Sequence, residues 1–583
     1  MRAKPGAILR VHLGPPGLKT ETVPHPSPSG FPGGRGLAVM EILSRAHLPF
    51  DDPDMPLCLA AGPLAGATAP LCGRAVVASV SPLTNTLLDA QAGGRLAVEL
   101  ARSGLSGVTI TGRAAGPSGL EIVDGRATLR PCPDLAGLCT PEIFSRLAFP
   151  GEVLRVGPAA ASGAALSAIV VGRRGEALRG GLGLSFAAKN LVYVAVSGTN
   201  PVPVADPARL GHAREDVLRL VAASPALAGG HGFARFGTAA LLDLTDSLCM
   251  TPTRNFRDTR FAAEKMVNAP ALARLFSPRR VGCLACPVPC AKIAHDGRML
   301  PGIDALSHLT ALVDNADPRL AVAATALCAD LGLDPVSAAS ALACHAEITG
   351  EALSPSRILG LLGDMAHGRG LGRELAGGAV AYARGRGRPE AAMAVKSLEL
   401  PAFDPRGACG LALSYAVSTR GGCYLRALAI GHEVLRKPVA TDRFEFAGKA
   451  RMVAQSENAL AALESLAACP LVFLAASLEE YAPILSAVTG VETTAGELLR
   501  IGERVVAAER MANARRGFSA ADDDLPTRFF TEPGTPGEDF AVPAIDRQAF
   551  LAARAAYYRI RGLTPDGLPG AETARKPEPP WTD

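Results

Sequence analysis

Three cysteines close together constrain the fold of this chain more than any other feature of its sequence. Cys283, Cys286 and Cys290 follow the spacing C-x2-C-x3-C. Three thiolates at this spacing can wrap one side of a metal cluster, and a cubane [4Fe–4S] cluster needs a fourth ligand, which commonly comes from a distant part of the chain. A fold that uses this loop for a cluster must therefore bring a remote cysteine to it.

Two other interpretations of the cysteine loop stay open. Three cysteines and one histidine can hold zinc, and His295 lies nearby in the sequence. Cysteines also occur as small apolar core residues. The spacing does not choose a fourth ligand, because the remaining cysteines are all candidates: Cys58, Cys72, Cys132, Cys139, Cys249, Cys328, Cys344, Cys409, Cys423 and Cys469.

Composition excludes several classes of function. The chain has 59 basic and 55 acidic residues and a formal charge of +4, which argues against a dedicated nucleic-acid binder with a concentrated basic surface. Aromatic residues make up only 5% of the chain, with one Trp, so a base-stacking surface is not expected. No segment offers the ~20 apolar residues of a transmembrane helix.

The cysteine count indicates the compartment. Thirteen cysteines in 583 residues are an odd number in a long chain, whereas disulfide frameworks belong to short secreted chains. The N-terminal residues do not form the apolar region of a signal peptide. The sequence therefore predicts a cytoplasmic protein that binds neither membrane nor nucleic acid.

Periodicity predicts an α+β fold of about three domains. Short β-branched runs bounded by Gly, Pro or Ser, at 75–80, 108–111 and 191–196, predict a β-rich first part. Helical spacing follows after Pro207, over 213–223, 319–331, 335–348, 446–468 and 498–516. The Pro- and charge-rich tail from Ala571 is expected to be loose.

Many segments resemble those of the aldehyde ferredoxin oxidoreductase family, and they occur in the family's order over nearly the whole chain. Besides the cysteine loop they are residues 60–70, 73–74, 81–84, 179–183, 189–191, 236–239, 255–256, 398–408, 415–416, 420–423, 501–504 and 508–510. The resemblance implies a β-rich base domain for two pterins (1–203), a helical domain with the cluster loop (204–395) and a helical domain that supplies the fourth cluster cysteine, Cys469 (396–583).

The resemblance also implies cofactors and a reaction. One tungsten, or molybdenum in some relatives, is held by the dithiolene sulfurs of two pterins, and a [4Fe–4S] cluster passes electrons to ferredoxin or a similar carrier. The implied reaction is oxidation of an aldehyde, or another oxo compound, to a carboxylic acid. Two alternatives stay open, because a fold does not fix a function: reduction of an activated acid with the same cofactors, and a non-catalytic electron-relay paralogue.

By resemblance, the cofactor-binding residues are Arg74, Gln91, Gly93, Arg179, Gly180, Asp330 and Glu464. Arginines bind phosphates bidentately and the backbone N–H groups of Gly-rich turns cradle them. Gln91 stands where relatives have Asn, Ala329 stands at an acid position beside Asp330, and Ala467 replaces a glycine near Cys469. The alternative for Gly180 is a tight turn between two elements.

The catalytic pair departs from the family. Relatives use a Glu and a His, and the matching positions are Asp304 and Tyr424, with His308 one helical turn beyond Asp304 as a further candidate. Tyr has a free pKa near ~10, so it donates a hydrogen bond but is a poor base at neutral pH. The alternatives are a helix N-cap for Asp304, and core packing for Tyr424 and His308.

The dimer contact of some relatives is missing as well. Their E-x-x-H motif, which binds a bridging metal, is replaced by residues 323–326, Ala-Ala-Thr-Ala. A homodimer of this chain would therefore rest on packing alone.

Overall fold

Two six-stranded sheets form most of the first 200 residues of the protein. The structure, a computed structural model, describes residues 6–15, 17–25, 30–172 and 175–575. The strands are β1 Ala7–Gly14, β2 Gly17–Pro24, β3 Leu57–Ala60, β4 Ala75–Val80, β5 Leu87–Ala92, β6 Leu105–Gly112, β7 Ser118–Val123, β8 Arg126–Pro131, β9 Glu152–Arg155, β10 Ile169–Val171, β11 Glu176–Leu178 and β12 Leu191–Ser197.

The two sheets face one another across a shared apolar core. Their strand orders are β2-β1-β6-β3-β4-β5 and β11-β10-β9-β12-β7-β8. Only β1–β6 and β7–β12 pair in parallel among these strands. Side chains from both sheets, such as Leu9, Ile110 and Val194, form one buried cluster. All seven residues of β12 are buried, as expected for a strand covered on both faces.

Within the described residues up to 200, five α-helices accompany the sheets. They are α1 Gly34–Leu43, α2 Leu96–Arg102, α3 Thr140–Leu147, α4 Pro158–Ala161 and α5 Leu182–Ala187. The outer face of the first sheet is covered by α1, and residues of α1 share a buried cluster with Ala461 and Val505 from the C-terminal part of the chain. Apolar packing therefore holds the two-sheet N-terminal part against the C-terminal part of the chain.

The rest of the chain is mostly helical. The helices are α6 Pro207–Ala223, α7 Pro225–Ala228, α8 Phe233–Phe236, α9 Leu241–Ser247, α10 Glu264–Val267, α11 Ala269–Phe276, α12 Ile303–Ser307, α13 Pro318–Leu331, α14 Pro335–Thr349, α15 Pro355–His367, α16 Gly370–Leu375, α17 Ala379–Gly385, α18 Cys409–Val417, α19 Ala429–Glu433, α20 Lys449–Ser465, α21 Leu478–Thr489, α22 Ala495–Ala514, α23 Arg528–Thr531, α24 Arg547–Arg561 and α25 Ala571–Arg575. Two short hairpins interrupt them: β13 Arg279–Val281 with β14 Ala291–Ile293, and β15 Ala394–Val395 with β16 Leu398–Glu399.

Local signals explain where the helices begin and end. Asp317 caps α13 by accepting the Arg319 N–H, and α13 ends at Gly332 with a φ of 71°, a left-handed conformation that glycine adopts without steric cost. The two long helices α20 and α22 approach closely at Gly502, where a Cβ would lie 1.8 Å from the Asn458 carbonyl oxygen. Glycine is therefore required at this crossing.

The α+β fold class predicted from the sequence is confirmed. The predicted helices over 319–331, 335–348 and 498–516 correspond to α13, α14 and α22 within a few residues. No helix within the described part of the chain has both the length and the apolar character to cross a membrane. The tail predicted to be loose begins with α25, and residues 576–583 lie outside the described residues.

Candidate functional site

All four predicted cluster cysteines line one open cavity of about 420 Å³. Cys283, Cys286 and Cys290 lie in the loop between β13 and β14, and Cys469 lies just after α20. The Cys469 N–H donates to the Leu71 carbonyl at 2.8 Å, which ties this residue to the base domain. The fold thus brings the remote cysteine to the loop.

The four thiols are neighbours in one cavity, and their pKa values reflect this. Burial, together with the charges of Cys469 and other loop thiols, raises the pKa of the Cys286 thiol to about 12 and that of the Cys290 thiol to about 11. Burial also raises the pKa of Cys283. Four thiolates in one cavity repel one another, so the arrangement favours a bound positive charge. This donor set fits a cubane iron–sulfur cluster.

The structure disfavours zinc as the metal bound by the cysteine loop. His295 does not line the cavity, and its Nδ1 lies 3.1 Å from the Phe276 carbonyl oxygen. Among the residues that the structure describes, no three His, Cys, Asp or Glu side chains converge on a point that could hold one metal ion. A fifth cysteine, Cys72, also lines the cavity, and the charges of Cys469 and Cys286 contribute to the raised pKa of its thiol.

Backbone contacts hold the cysteine loop against the base domain. The Gly94 N–H donates to the Cys283 Sγ at 3.4 Å, and the Leu284 N–H donates to the Gly94 carbonyl at 3.3 Å. Inside the loop, the Lys292 ammonium donates to the Pro289 carbonyl at 2.7 Å. A buried lysine that binds loop carbonyls was not predicted from the sequence, because nothing local distinguishes it from a surface lysine.

Arg74, Gln91 and Gly93 come together beside the thiol cavity. The Arg74 Nη1 donates to the Gln91 carbonyl and to Glu176 Oε1, both at 3.2 Å, and the Gly93 N–H donates to Glu176 Oε2 at 3.0 Å. The Arg74 Nε and Gln91 Nε2 are buried and have no hydrogen-bond partner among the described residues. Buried donors without partners are costly, so these two donors fit a cofactor that accepts hydrogen bonds.

Glu176 is a site residue that the sequence analysis missed. Its carboxylate occupies the anion position between the guanidinium of Arg74 and the backbone of Gly93. A Cβ at Gly93 would lie 2.8 Å from Glu176 Oε2 and 3.1 Å from the Cys283 Sγ, so glycine is required here. Only the tertiary contact between β11 and β5 places Glu176 in this position.

Arg179 reaches from the base domain to both helical parts of the chain. It donates to the carbonyl oxygens of Glu399 and Gly422, and its Nε lies 3.4 Å from the Asp334 Oδ2. The Arg179 Nε and the Asp334 Oδ2 are buried, and neither atom makes a hydrogen bond to a described residue. Gly180, with a φ of 102°, accepts from the Ser81 hydroxyl through its carbonyl at 2.8 Å. The turn expected as the alternative for this glycine is therefore present.

Asp330 and Glu464 have different surroundings. Asp330 lies near the end of α13, where burial raises its pKa and the charge of Arg155 opposes this. Glu464 is buried and accepts from Arg35 at 2.8 Å and from Arg426 at 3.4 Å. Its carboxylate is thus part of a buried ion network that also includes Glu509, and its pterin contact stays a prediction.

Asp304 and Tyr424, the predicted catalytic pair, are in direct contact. The Tyr424 hydroxyl donates to Asp304 Oδ2 at 3.2 Å, and the Ala402 N–H donates to Asp304 Oδ1 at 3.2 Å. Burial raises the pKa of Asp304, and burial together with the Asp304 charge raises that of Tyr424 well above its usual value. The N-cap alternative for Asp304 is wrong, because Gly302 is the N-cap of α12 and the carboxylate binds a distant N–H.

His308 is fully buried beside this pair. It begins a π-helical turn, His308–Leu312, that continues α12, and such turns often mark functional sites. Its Nε2 lies 3.0 Å from the Leu400 carbonyl oxygen, and burial lowers its pKa to about 3. A neutral His308 therefore supports the segment that carries Ala402, which in turn binds Asp304.

A cysteine next to Tyr424 completes the surroundings of the pair. The Arg420 Nη2 lies 2.8 Å from the Cys423 Sγ, while its Nη1 donates to the Asp89 carbonyl at 2.7 Å. Tyr424 also packs its ring edge-on against Phe403, with ring centroids 4.7 Å apart. These contacts link the base domain to the predicted catalytic pair, and no local sequence pattern beyond the family motif indicates them.

Comparison with known proteins shows to which family this chain belongs. A model described as "Aldehyde ferredoxin oxidoreductase, N-terminal domain" matches residues 8–198, and one described as "Aldehyde ferredoxin oxidoreductase, domains 2 & 3" matches residues 212–577. The chain belongs to the aldehyde ferredoxin oxidoreductase family. The predicted resemblance is therefore confirmed over nearly the whole chain.

Individual members of the aldehyde ferredoxin oxidoreductase family align along their full length. The tungsten-containing aldehyde ferredoxin oxidoreductase of Pyrococcus furiosus is 30% identical over 96% of this chain and 96% of its own. The corresponding protein of Thermococcus kodakarensis is 29% identical over 98% of both chains. Among solved structures, the active-site complex BamBC of benzoyl coenzyme A reductase with 1,5-dienoyl-CoA matches with a TM-score of 0.82 at 19% identity, covering 98% of this chain and 96% of the other.

Proposed function

We propose that this protein oxidises an aldehyde, or a related oxo compound, to a carboxylic acid at a tungsten or molybdenum bis-pterin centre. Electrons then leave through a [4Fe–4S] cluster to ferredoxin or a similar carrier. The observation that supports this best is the convergence of four thiols beside buried donors that have no partner, at Arg74 and Gln91. One site thus offers ligands for a cluster and hydrogen bonds for an anionic cofactor.

The geometry supports an assignment of the residues that would hold the cofactors. Cys283, Cys286, Cys290 and Cys469 would bind the cluster, whose cavity Arg74 also lines. The pterins would be bound by Arg74, Gln91 and Gly93 and by Arg179 with Gly180, and Asp330 and Glu464 remain candidates by resemblance. When bound, the metal–pterin supplies two-electron redox chemistry, and the cluster supplies single-electron exit.

Asp304 and Tyr424 would move and hold the protons. Oxidation of an aldehyde adds oxygen from water, so a base must accept a proton. We assign this role to the carboxylate of Asp304, which the hydrogen bond from Tyr424 supports. Tyr424 stays protonated because burial and the neighbouring charge disfavour its ionised form, so it can donate to a carboxylate or to a substrate oxygen. His308 is too weak a base for this role, and we assign it the positioning of the Leu400–Ala402 segment.

The cell compartment and assembly are part of the proposal. All 13 cysteines are free thiols, which fits a reducing cytoplasm. The relatives are named as ferredoxin oxidoreductases, which supports a ferredoxin-class acceptor. Residues 323–326 carry no metal-binding side chain, so a homodimer would form without a bridging metal.

Elemental analysis of anaerobically purified protein tests the cofactor assignment. We expect close to one tungsten or molybdenum and four irons per chain, together with the electron paramagnetic resonance signal of a reduced cubane. Turnover of a panel of aldehydes with a viologen dye as acceptor tests the reaction. Protein that contains iron but no tungsten or molybdenum would instead favour the electron-relay alternative.

Reduction of an activated acid is the second candidate function. A solved structure with the same fold is part of a benzoyl coenzyme A reductase complex. By the family resemblance, Asp304 and Tyr424 of this chain stand where aldehyde-oxidising relatives use a Glu and a His. Fully metallated protein that oxidises no aldehyde but consumes reduced viologen with an aromatic acyl thioester would support this candidate over aldehyde oxidation.

A further inference from the structure

The cavity that the four cluster cysteines line contains a fifth thiol, that of Cys72. The segments 60–70 and 73–74 that resemble the family stop short of this residue on either side. Cys72 is 8% exposed, and the charges of Cys469 and Cys286 act on its thiol. A cubane takes four cysteine ligands. Once the other four thiols bind the cluster, Cys72 therefore stays beside it without binding iron.

Backbone hydrogen bonds hold Cys72 next to the cysteine that comes from the distant part of the chain. The Cys469 N–H donates to the Leu71 carbonyl at 2.8 Å, and the Arg74 N–H donates to the Ala467 carbonyl at 3.1 Å. Cys72 lies between these two bonds in the sequence. Leu71 has a φ of 55°, a left-handed conformation that is rare for a bulky residue and that its surroundings must stabilise. The position of the next residue, Cys72, is thus fixed by the fold.

The partners of the Cys72 thiol can be narrowed down. Tyr481 is fully buried and lies beside this thiol. The Tyr481 hydroxyl donates its proton to the Pro70 carbonyl at 2.7 Å, so it does not donate to the thiol as well. A thiol that binds no metal keeps its proton at neutral pH and can donate it. The sulfur atoms of a cluster carry negative charge, which makes them stronger acceptors than the neutral phenol oxygen of Tyr481.

We propose that the Cys72 thiol donates a hydrogen bond to a cluster sulfur at the corner held by Cys469 and thereby raises the reduction potential of the cluster. This inference rests on the proposed function, because it requires the cluster. Reduction adds one electron and makes the cluster sulfurs more negative, so a hydrogen-bond donor stabilises the reduced cluster more than the oxidised cluster. Cys72 thus tunes how readily the cluster accepts an electron.

Potentiometric titration followed by electron paramagnetic resonance measures this effect on the cluster itself. Cys72→Ala removes the donor, and we expect the equilibrium constant for one-electron reduction to fall at least threefold, a decrease in potential of ~28 mV at about 59 mV per tenfold. Cys72→Ser retains a donor and should recover at least half of this decrease. The control is Cys132→Ala, because Cys132 is similarly buried, at 6% exposure, and does not line the cavity. Its potential should equal that of the unaltered chain.

A second measurement distinguishes hydrogen bonding from packing. Electron–nuclear double resonance spectra of the reduced cluster are recorded in H2O and in D2O, so that exchangeable protons close to the cluster are identified. We expect the unaltered chain to show a strongly coupled exchangeable proton that is lost in Cys72→Ala. The same proton should be present in Cys132→Ala, and an exchangeable proton should be present in Cys72→Ser.

Further outcomes separate this inference from the proposed function. If Cys72→Ala keeps its iron, its potential and the exchangeable proton, the inference is overturned and the proposed function stands. A Cys72→Ser potential as low as that of Cys72→Ala would assign the effect to packing, and loss of iron from Cys72→Ala as severe as that from Cys469→Ser would make Cys72 a ligand. Either result overturns the inference. Absence of iron from the unaltered protein would overturn both the inference and the proposed function.

Discussion

Replacing Tyr424 with Phe removes one hydrogen bond from Asp304 and leaves the ring in place. The lost bond is the 3.2 Å contact from the phenol to Asp304 Oδ2, while the edge-on packing against Phe403 is retained. A hydrogen bond to a charged group contributes about 1.5–3 kcal/mol, which corresponds to about 10- to 150-fold in the equilibrium that favours the ionised carboxylate. Asp304 already has a raised pKa because it is buried.

The sign of the expected pH effect follows from this contact. A donor stabilises the carboxylate, so its removal raises the pKa of Asp304 further, and the carboxyl group takes up a proton at a higher pH. A reaction that needs the ionised form then fails at a higher pH. We expect the acidic limb of the kcat/KM profile of Tyr424→Phe to move upward and kcat/KM near neutral pH to fall by about tenfold or more.

The assay is viologen-linked oxidation of the best aldehyde, measured between pH 5 and pH 9. Tyr415→Phe is the control, because its hydroxyl donates to the Phe403 carbonyl at 3.1 Å and not to Asp304. Asp304→Asn should be severely impaired, and adding Tyr424→Phe to it should cost little more, since the two residues act as a pair. An unchanged acidic limb in Tyr424→Phe, or effects that simply multiply in the double variant, would refute the proposed coupling.

Three further predictions concern the cluster, the cofactor cradle and the buried ion network. Cys469→Ser should lower the iron content and alter the electron paramagnetic resonance signal of the reduced cluster. The control Cys139→Ser, at a helix N-cap outside the cavity, should do neither. Equal iron content in both variants would exclude Cys469 as a ligand. Gly93→Ala places a Cβ about 3.1 Å from the Cys283 Sγ and closer still to the Glu176 carboxylate. The tungsten and iron contents of this variant, measured by mass spectrometry, should therefore fall. Arg35→Met leaves the buried Glu464 and Glu509 without the arginine they share. It should lower the free energy of unfolding, measured in urea, by about 3–5 kcal/mol. The control Arg10→Met, at a half-exposed ion pair, should lower it by less than about 1 kcal/mol.

Local sequence decided which segments become helices and strands. The predicted runs at 75–80 and 191–196 fall within β4 and β12, and the helices predicted at 319–331 and 335–348 fall within α13 and α14. Periodicity and caps act within a few residues of chain, so they can be read without knowing the fold. The cysteine spacing, in the same way, predicted a cluster loop.

Recognition of the family supplied what local rules could not. Cys469 lies almost 180 residues after Cys290, and spacing alone left it as one of many candidates. Likewise, Asp304 and Tyr424 were paired by resemblance, and their hydrogen bond became visible only in the structure. Contacts between residues far apart in sequence depend on how helices and sheets pack, which a single sequence does not encode in any local pattern.

By itself the sequence determined the α+β class, the three-cysteine loop and, through the order of its motifs, the family. The tertiary structure decided the rest: Glu176 in the anion position beside Arg74, a neutral His308 that supports the Asp304 segment, and Glu464 within a buried ion network. The physical reason is that charge and hydrogen-bond partners are set by burial and proximity in space. These same features determine pKa values and ligand binding, so the chemistry of the site could be described only once the chain was folded.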